Sequence, residues 1–167
     1  ENHYPINYRQ LFELPITADN FIQKKINWLT LDPIIRTTIA QSIQFTEKNT
    51  SAEEYNYFVK LVLLTEKAIA QNKVLSLRRY HEESFQYGKD ISDLQRQINY
   101  FHYFWDSYLE VKKCKSFSKS SKKFILEQCY IIQRNNKLKQ DFARFAYEYF
   151  KFHKIRSVKK ILNLLTS

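Results

Sequence analysis

The side chains that could do chemistry are few and scattered. Four histidines (His3, His81, His102, His153) and two cysteines (Cys114, Cys129) are the potential metal ligands and nucleophiles. A di-iron bundle needs a Glu three residues before a His, so that both ligands share one helix face. No histidine here has that neighbour. His81-Glu82 begins like the H-E-x-x-H of zinc proteases, but Phe85 stands where the second His must be. Cys114 and Cys129 lie 15 residues apart with no C-x-x-C partner. The Arg-then-His spacing of helical nucleases also fails, because Arg78 and Arg79 crowd His81 and Arg144 lies nine residues before His153. Gly88 is the one glycine, where an average chain of this length holds roughly 12. That excludes the P-loop, the dinucleotide fingerprint and the nucleophile elbow, which all need Gly at tight turns. Cys129 sits in the apolar run Phe124–Ile132 and reads as a small core residue. Cys114 reads as a thiol among lysines, reactive without being catalytic. The expectation is therefore a non-enzyme with no metal and no cofactor.

Charge is the informative feature. The 167 residues carry a net +10, unevenly spread. Residues 111–167 hold 15 Lys or Arg against three acids, Glu127, Asp141 and Glu148. Residues 1–110 hold 12 basic against 14 acidic residues, so the whole excess lies in the last third. A one-sided distribution suits a polyanion. Two basic groups stand out. Lys112, Lys113, Lys115, Lys119, Lys122 and Lys123 alternate with Ser116, Ser118, Ser120 and Ser121, a mixture that suits phosphate oxygens at a helix start. Farther on, Lys137, Arg144 and Lys151 recur every seventh residue, a single helical stripe, with Arg134, Lys139, Lys154 and Arg156 adding charge beside it.

This pattern implies contact with RNA or DNA backbone. Six to eight neutralised phosphates would give a log–log salt slope of about −4 to −7. No sequence readout is implied, because no basic recognition helix follows a compact turn. Phe117, Tyr130 and Tyr147 are candidates for stacking on unpaired bases. The competing expectations are a solvated face, an acidic protein partner, or an anionic membrane surface touched by the basic-then-apolar stretch 155–165.

The positioning elements are helices. Residues 1–18, broken by Pro5 and Pro15, read as an extended lead-in, and residues 19–167 as one bundle, basic from about 111. Asp19 is a candidate N-cap for a short helix. Asp32-Pro33 marks the start of a second helix reaching about Phe45. Thr50 and Glu53 form a capping box for a long helix carrying Tyr57, Leu61, Leu64 and Ala68, continuing toward Gly88 as its C-terminal cap. Asp90 opens the next, where Leu94, Ile98, Phe101, Trp105 and Tyr108 make a 4-3-4-3 apolar seam. After the Lys/Ser break a helix begins near Ser121, is interrupted at Asn135-Asn136, and is followed by a second such seam from Leu138 through Phe142, Phe145 and Tyr149 to Phe152. A short last helix carries Val158, Ile161, Leu162 and Leu165. The fold class expected is all-α, a bundle of five to seven helices. No apolar run reaches the length of a transmembrane helix. The first ten residues lack the layout of a signal peptide, so a cytoplasmic location is expected. The absence of Met leads to the expectation that the chain is trimmed or belongs to a longer product.

With this length, helicity, aromatic content and the Lys/Arg run from Lys112 to Lys160, the chain resembles the small subunits of CRISPR interference complexes. The resemblance implies a non-catalytic helical bundle in an antiviral ribonucleoprotein. Such a bundle contacts the guide–target region through backbone and steadies the displaced strand. It also implies protein partners, which here would meet the nearly neutral N-terminal part. The other function expected from the charge alone is an adaptor whose basic face docks an acidic protein.

Overall fold

The computed structural model describes residues 12–28, 32–47, 53–65, 67–71 and 92–166, without the side chains of Ile155 and Arg156. The fold is all-α. Among the described residues there is no strand, and seven α-helices follow in order: α1 (Ala18–Ile22), α2 (Thr37–Ala40), α3 (Glu53–Leu64), α4 (Asp93–Val111), α5 (Lys119–Asn136), α6 (Phe142–His153) and, after a 3-10 turn at Lys154–Ser157, α7 (Val158–Thr166). The core runs through both halves of the chain, from Ala18 and Phe21 to Tyr149 and Leu164.

α4 and α5 form the long pair on which the basic third is built. Ser92 caps α4 by accepting the Gln95 N–H at 3.2 Å. Along α4, Phe101, Trp105 and Tyr108 turn into the core as their spacing requires, while Leu94 at the start of the seam is exposed. Ser118 caps α5 by accepting the Ser121 N–H at 3.0 Å, so the helix starts at Lys119. α5 ends at the asparagine pair: Lys137 takes left-handed backbone (φ 52°), and the Leu138 N–H closes back on the Gln133 carbonyl at 2.9 Å. That closure is the usual way a left-handed residue satisfies the last carbonyls of a helix. The buried Gln133 amide donates to the Gln140 carbonyl at 2.7 Å, and the Trp105 indole N–H donates to Asp141 at 2.7 Å. Residues 137–141 are thereby held as a compact turn. α6 then seats on both long helices. Phe145 meets Phe101 and Trp105 edge-on at 6.2 and 5.7 Å, and Tyr149 stacks on Tyr130 of α5 at 5.6 Å.

The N-terminal part adds an aromatic layer. Phe21 stacks on Trp28 and Tyr55, and Tyr55 stacks on Tyr103 of α4 at 4.0 Å. The Tyr55 hydroxyl donates to the Ile22 carbonyl at 2.9 Å, tying α1 to α3.

Several expected boundaries move. Of the lead-in, residues 1–11 lie outside the described residues, while Phe12 and Glu13 carry helical backbone rather than extended chain. Thr17, not Asp19, caps α1 by accepting the Asn20 N–H. The second helix is far shorter than the expected span from Pro33 to Phe45, because residues 33–36 are not helical and α2 covers four residues. Ile34, Ile35, Thr37, Thr38 and Ile39 are β-branched and weak helix formers. α3 stops at Leu64, so Ala68 is not helical. The Thr65 hydroxyl accepts the Lys67 N–H at 3.2 Å in the turn just past the helix, and Ser116 donates to the Leu63 carbonyl at 2.7 Å, satisfying one of the last carbonyls of α3. The Thr50 cap, Asp90 and Gly88 lie outside the described residues.

Lys24 is a tension inside this layer. Its backbone is left-handed (φ 61°), its ammonium sits 4.3 Å from the Tyr55 ring centre and 4.4 Å from that of Tyr103, and it donates to the Tyr103 hydroxyl. Burial brings its pKa down to about 8. A lysine whose folded pKa lies below its unfolded value destabilises the fold while it is charged, and that penalty fades as pH rises through the window from 8 to the unfolded value. Lys24→Met should therefore be more stable than the parent at pH 8, with the advantage shrinking by about 2 kcal/mol by pH 10. Urea unfolding of both proteins at the two pH values checks this. The raised pKa of buried Cys129 acts on both proteins alike.

Candidate nucleic-acid interface

All three acids of the basic third are engaged within the fold. Glu148 on α6 points toward α4, where it accepts from Lys112 and, at 3.1 Å, from the Tyr108 hydroxyl. Burial alone would raise its pKa; the hydrogen bond and charge of Lys112, with the Tyr108 hydroxyl, outweigh that and hold it below the usual carboxylate range. Glu127 on α5 accepts from Lys160 at 2.8 and 3.1 Å and from the Tyr149 hydroxyl at 2.9 Å. Burial opposes its ionisation too, and Lys160 and Tyr149 overcome it. Asp141 accepts the Trp105 indole N–H. Lys112 and Lys160 are thus structural partners that fasten α4 to α6 and α5 to α7.

The hydroxyls of the serines expected to meet phosphate are bound to acceptors within the protein instead. The hydroxyls of Ser118, Ser120 and Ser121 all donate to the Asp19 carboxylate, Ser121 at 2.6 Å and Ser120 at 2.9 Å. Asp19 brings a negative charge to the N-terminus of α5, where the helix dipole favours it. Burial works against that carboxylate, and the three hydroxyls still keep its pKa low. Ser116 is bound to the Leu63 carbonyl. The Lys/Ser segment is therefore a clasp between α1 and α5.

What remains outward is cationic. Lys113, Lys115, Lys119, Lys123, Arg134, Lys137, Lys139, Arg144, Lys151 and Lys154 are exposed, and among the described residues none of them forms an ion pair. Lys122 is half-buried, with its ammonium 5.4 Å from the Phe117 ring centre. The Arg156 side chain lies outside the described residues. The seven-residue stripe is shorter than expected: Lys137 lies in the turn at 137–141, so only Arg144 and Lys151 share a side of α6.

α6 divides the cations. A helix advances about 100° per residue, which places Arg144 and Lys151 along the flank next to Glu148 and α4. Lys151 is close enough to Glu148 to help lower its pKa. On the opposite flank, Tyr149 and His153 face α5 and Lys123 is close enough to His153 to act on it. Between the flanks runs the outward crest of α6, which carries Ala143, Tyr147 and Phe150. Tyr147 is 63 % exposed and Phe150 46 %. The Lys151 ammonium lies 6.0 Å from the Tyr147 ring centre. Of the three aromatics expected to stack on bases, only Tyr147 is free to do so. Phe117 and Tyr130 are 2 % and 5 % exposed, held by the core and by Tyr149. Phe150 was not foreseen; its position three residues from Tyr147 was the available signal.

The residues that sequence offered for chemistry stay apart. His102 pairs with Asp106 at 3.3 Å, which raises its pKa through that hydrogen bond. His153 lies against Glu127 at 3.4 Å, and burial pushes its pKa down. Cys129 is buried and Cys114 half-buried, while His3 and His81 lie outside the described residues. Among the described residues no group of His, Cys, Asp and Glu could hold a metal ion. No helix there is long and apolar enough to cross a membrane.

The fold and surface thus define an all-α bundle with a cationic C-terminal third. Comparison with protein-family models, with curated proteins and with solved structures finds no significant match.

Proposed function

We propose that this chain is a non-catalytic subunit that holds RNA or DNA by its backbone, without reading sequence, inside a cytoplasmic ribonucleoprotein such as a CRISPR interference complex. There it would steady the guide–target hybrid or the displaced strand, while the nearly neutral N-terminal part meets neighbouring subunits. One observation supports this above the others. Glu127 and Glu148 are paired with Lys160 and Lys112, so that among the described residues of the last third Asp141 is the one exposed acid against many exposed cations without an ion-pair partner. Sequence-independent affinity for nucleic acid rests on such unpaired cations, which release counterions from phosphates.

The competing function is an adaptor whose same cations dock an acidic protein. Purification at low salt separates the two. The nucleic-acid subunit carries a nuclease-sensitive component that absorbs at 260 nm and leaves at high salt. An adaptor purifies with the absorbance ratio of bare protein and gains no retention on immobilised mixed-sequence RNA or DNA; that outcome would overturn the proposal.

A further inference from the structure

We propose that the crest of α6 is a stacking platform for unpaired bases, so that the preferred ligand is single-stranded nucleic acid. The inference rests on the nucleic-acid function above and narrows its ligand. Its basis is the placement of two exposed aromatic rings side by side on the outward face of α6. The inner side of α6 seats Phe145, Glu148 and Tyr149 against α4 and α5. Tyr147 and Phe150 project from the other side and are both exposed, Tyr147 more than Phe150. A helix that needed only solubility at these positions would carry polar residues. Arg144 and Lys151 border the crest, and Lys154 extends the charge beyond its end. The one acid of α6, Glu148, is turned away and neutralised by Lys112.

The arrangement matches what a single strand offers. Its bases expose π-faces, and its phosphates lie to one side of them. Tyr147 and Phe150 are three residues apart, so their attachment points are about 4.5 Å apart along the helix axis, and each ring can take the face of one base. Arg144 and Lys151 then sit where the adjoining phosphates pass. Aromatic platforms bordered by cations bind single strands with little sequence preference, each stacked base contributing about 1–3 kcal/mol. A duplex, with its base faces already stacked, has no use for exposed rings.

The test uses the full chain, with fluorescently labelled 20-nucleotide mixed-sequence oligonucleotides, single-stranded and duplex, in RNA and in DNA form. The parent should bind single strands at least tenfold more tightly than duplexes. Tyr147→Ala with Phe150→Ala should lower single-strand affinity by about 30-fold or more while changing duplex affinity less than threefold. Tyr147→Phe should keep the parent affinity, because the ring face is retained. Thermal melts matched to the parent confirm that the exposed substitutions leave the fold intact. Equal loss on single strands and duplexes, no loss on either, or a preference for B-form duplex through insertion of α6 into a groove would each overturn the platform. In those cases the broader nucleic-acid function stands, because the parent still binds. Absence of any binding by the parent overturns both.

Discussion

Phe145→Ala should lower the stability of the fold by about 3–5 kcal/mol. Phe145 is fully buried on the inner face of α6, edge-on to Phe101 and Trp105 of α4 and 5.4 Å from the Tyr149 ring. Truncation removes the transfer energy of a whole aromatic ring and leaves a cavity between α4 and α6 that helix ends fixed on both sides cannot close. At one end of α6, Asp141 is held by Trp105; toward the other, Glu148 is held by Lys112 and Tyr108. Urea unfolding followed by tryptophan fluorescence measures the loss. A change below about 1 kcal/mol would mean that α6 is not seated on α4 in this way.

The second large effect is on binding. Arg144→Glu combined with Lys151→Glu removes two exposed cations that have no ion-pair partner among the described residues. Stability should fall by only about 0.5–1 kcal/mol, the cost of placing two like charges three and four residues from Glu148 on the same helix. Affinity for mixed-sequence nucleic acid should fall about 100-fold at about 50 mM salt, because each lost phosphate contact forfeits about tenfold from counterion release. The loss should be the same for oligonucleotides of unrelated sequence. Fluorescence anisotropy with two such oligonucleotides gives the comparison. Unchanged affinity in a folded variant would remove Arg144 and Lys151 from the interface.

The elements legible in the sequence were those whose inward residues repeat along the chain. The seams of α4 and α6 could be read because Phe101, Trp105, Tyr108, Phe145 and Tyr149 recur at helical spacing, and all are buried. The asparagine pair that ends α5 was legible for the same local reason. Asp32-Pro33 was a local signal too, yet the β-branched residues after it left only four helical residues. The end of α3 depends on Ser116, 53 residues away, and no local pattern reports that contact. The candidate interface divides in the same way. The count and side of the charge were plain, but which cations stay free was not. Lys112 meets Glu148 across 36 residues, and Asp19 meets Ser118 across 99. Likewise Phe117, Tyr130 and Tyr147 look alike in sequence, and only the packing of α5 and α6 separates the buried two from the exposed one.

In this reading the exposed cations of the last third hold a nucleic-acid backbone. Its most direct test is the dependence of affinity on salt, measured for the parent protein on a mixed-sequence single strand between 50 and 200 mM KCl. Six to eight phosphates neutralised at once on a single strand give a log–log slope of about −4 to −6. A slope shallower than about −1, or no measurable binding at 50 mM, would contradict it.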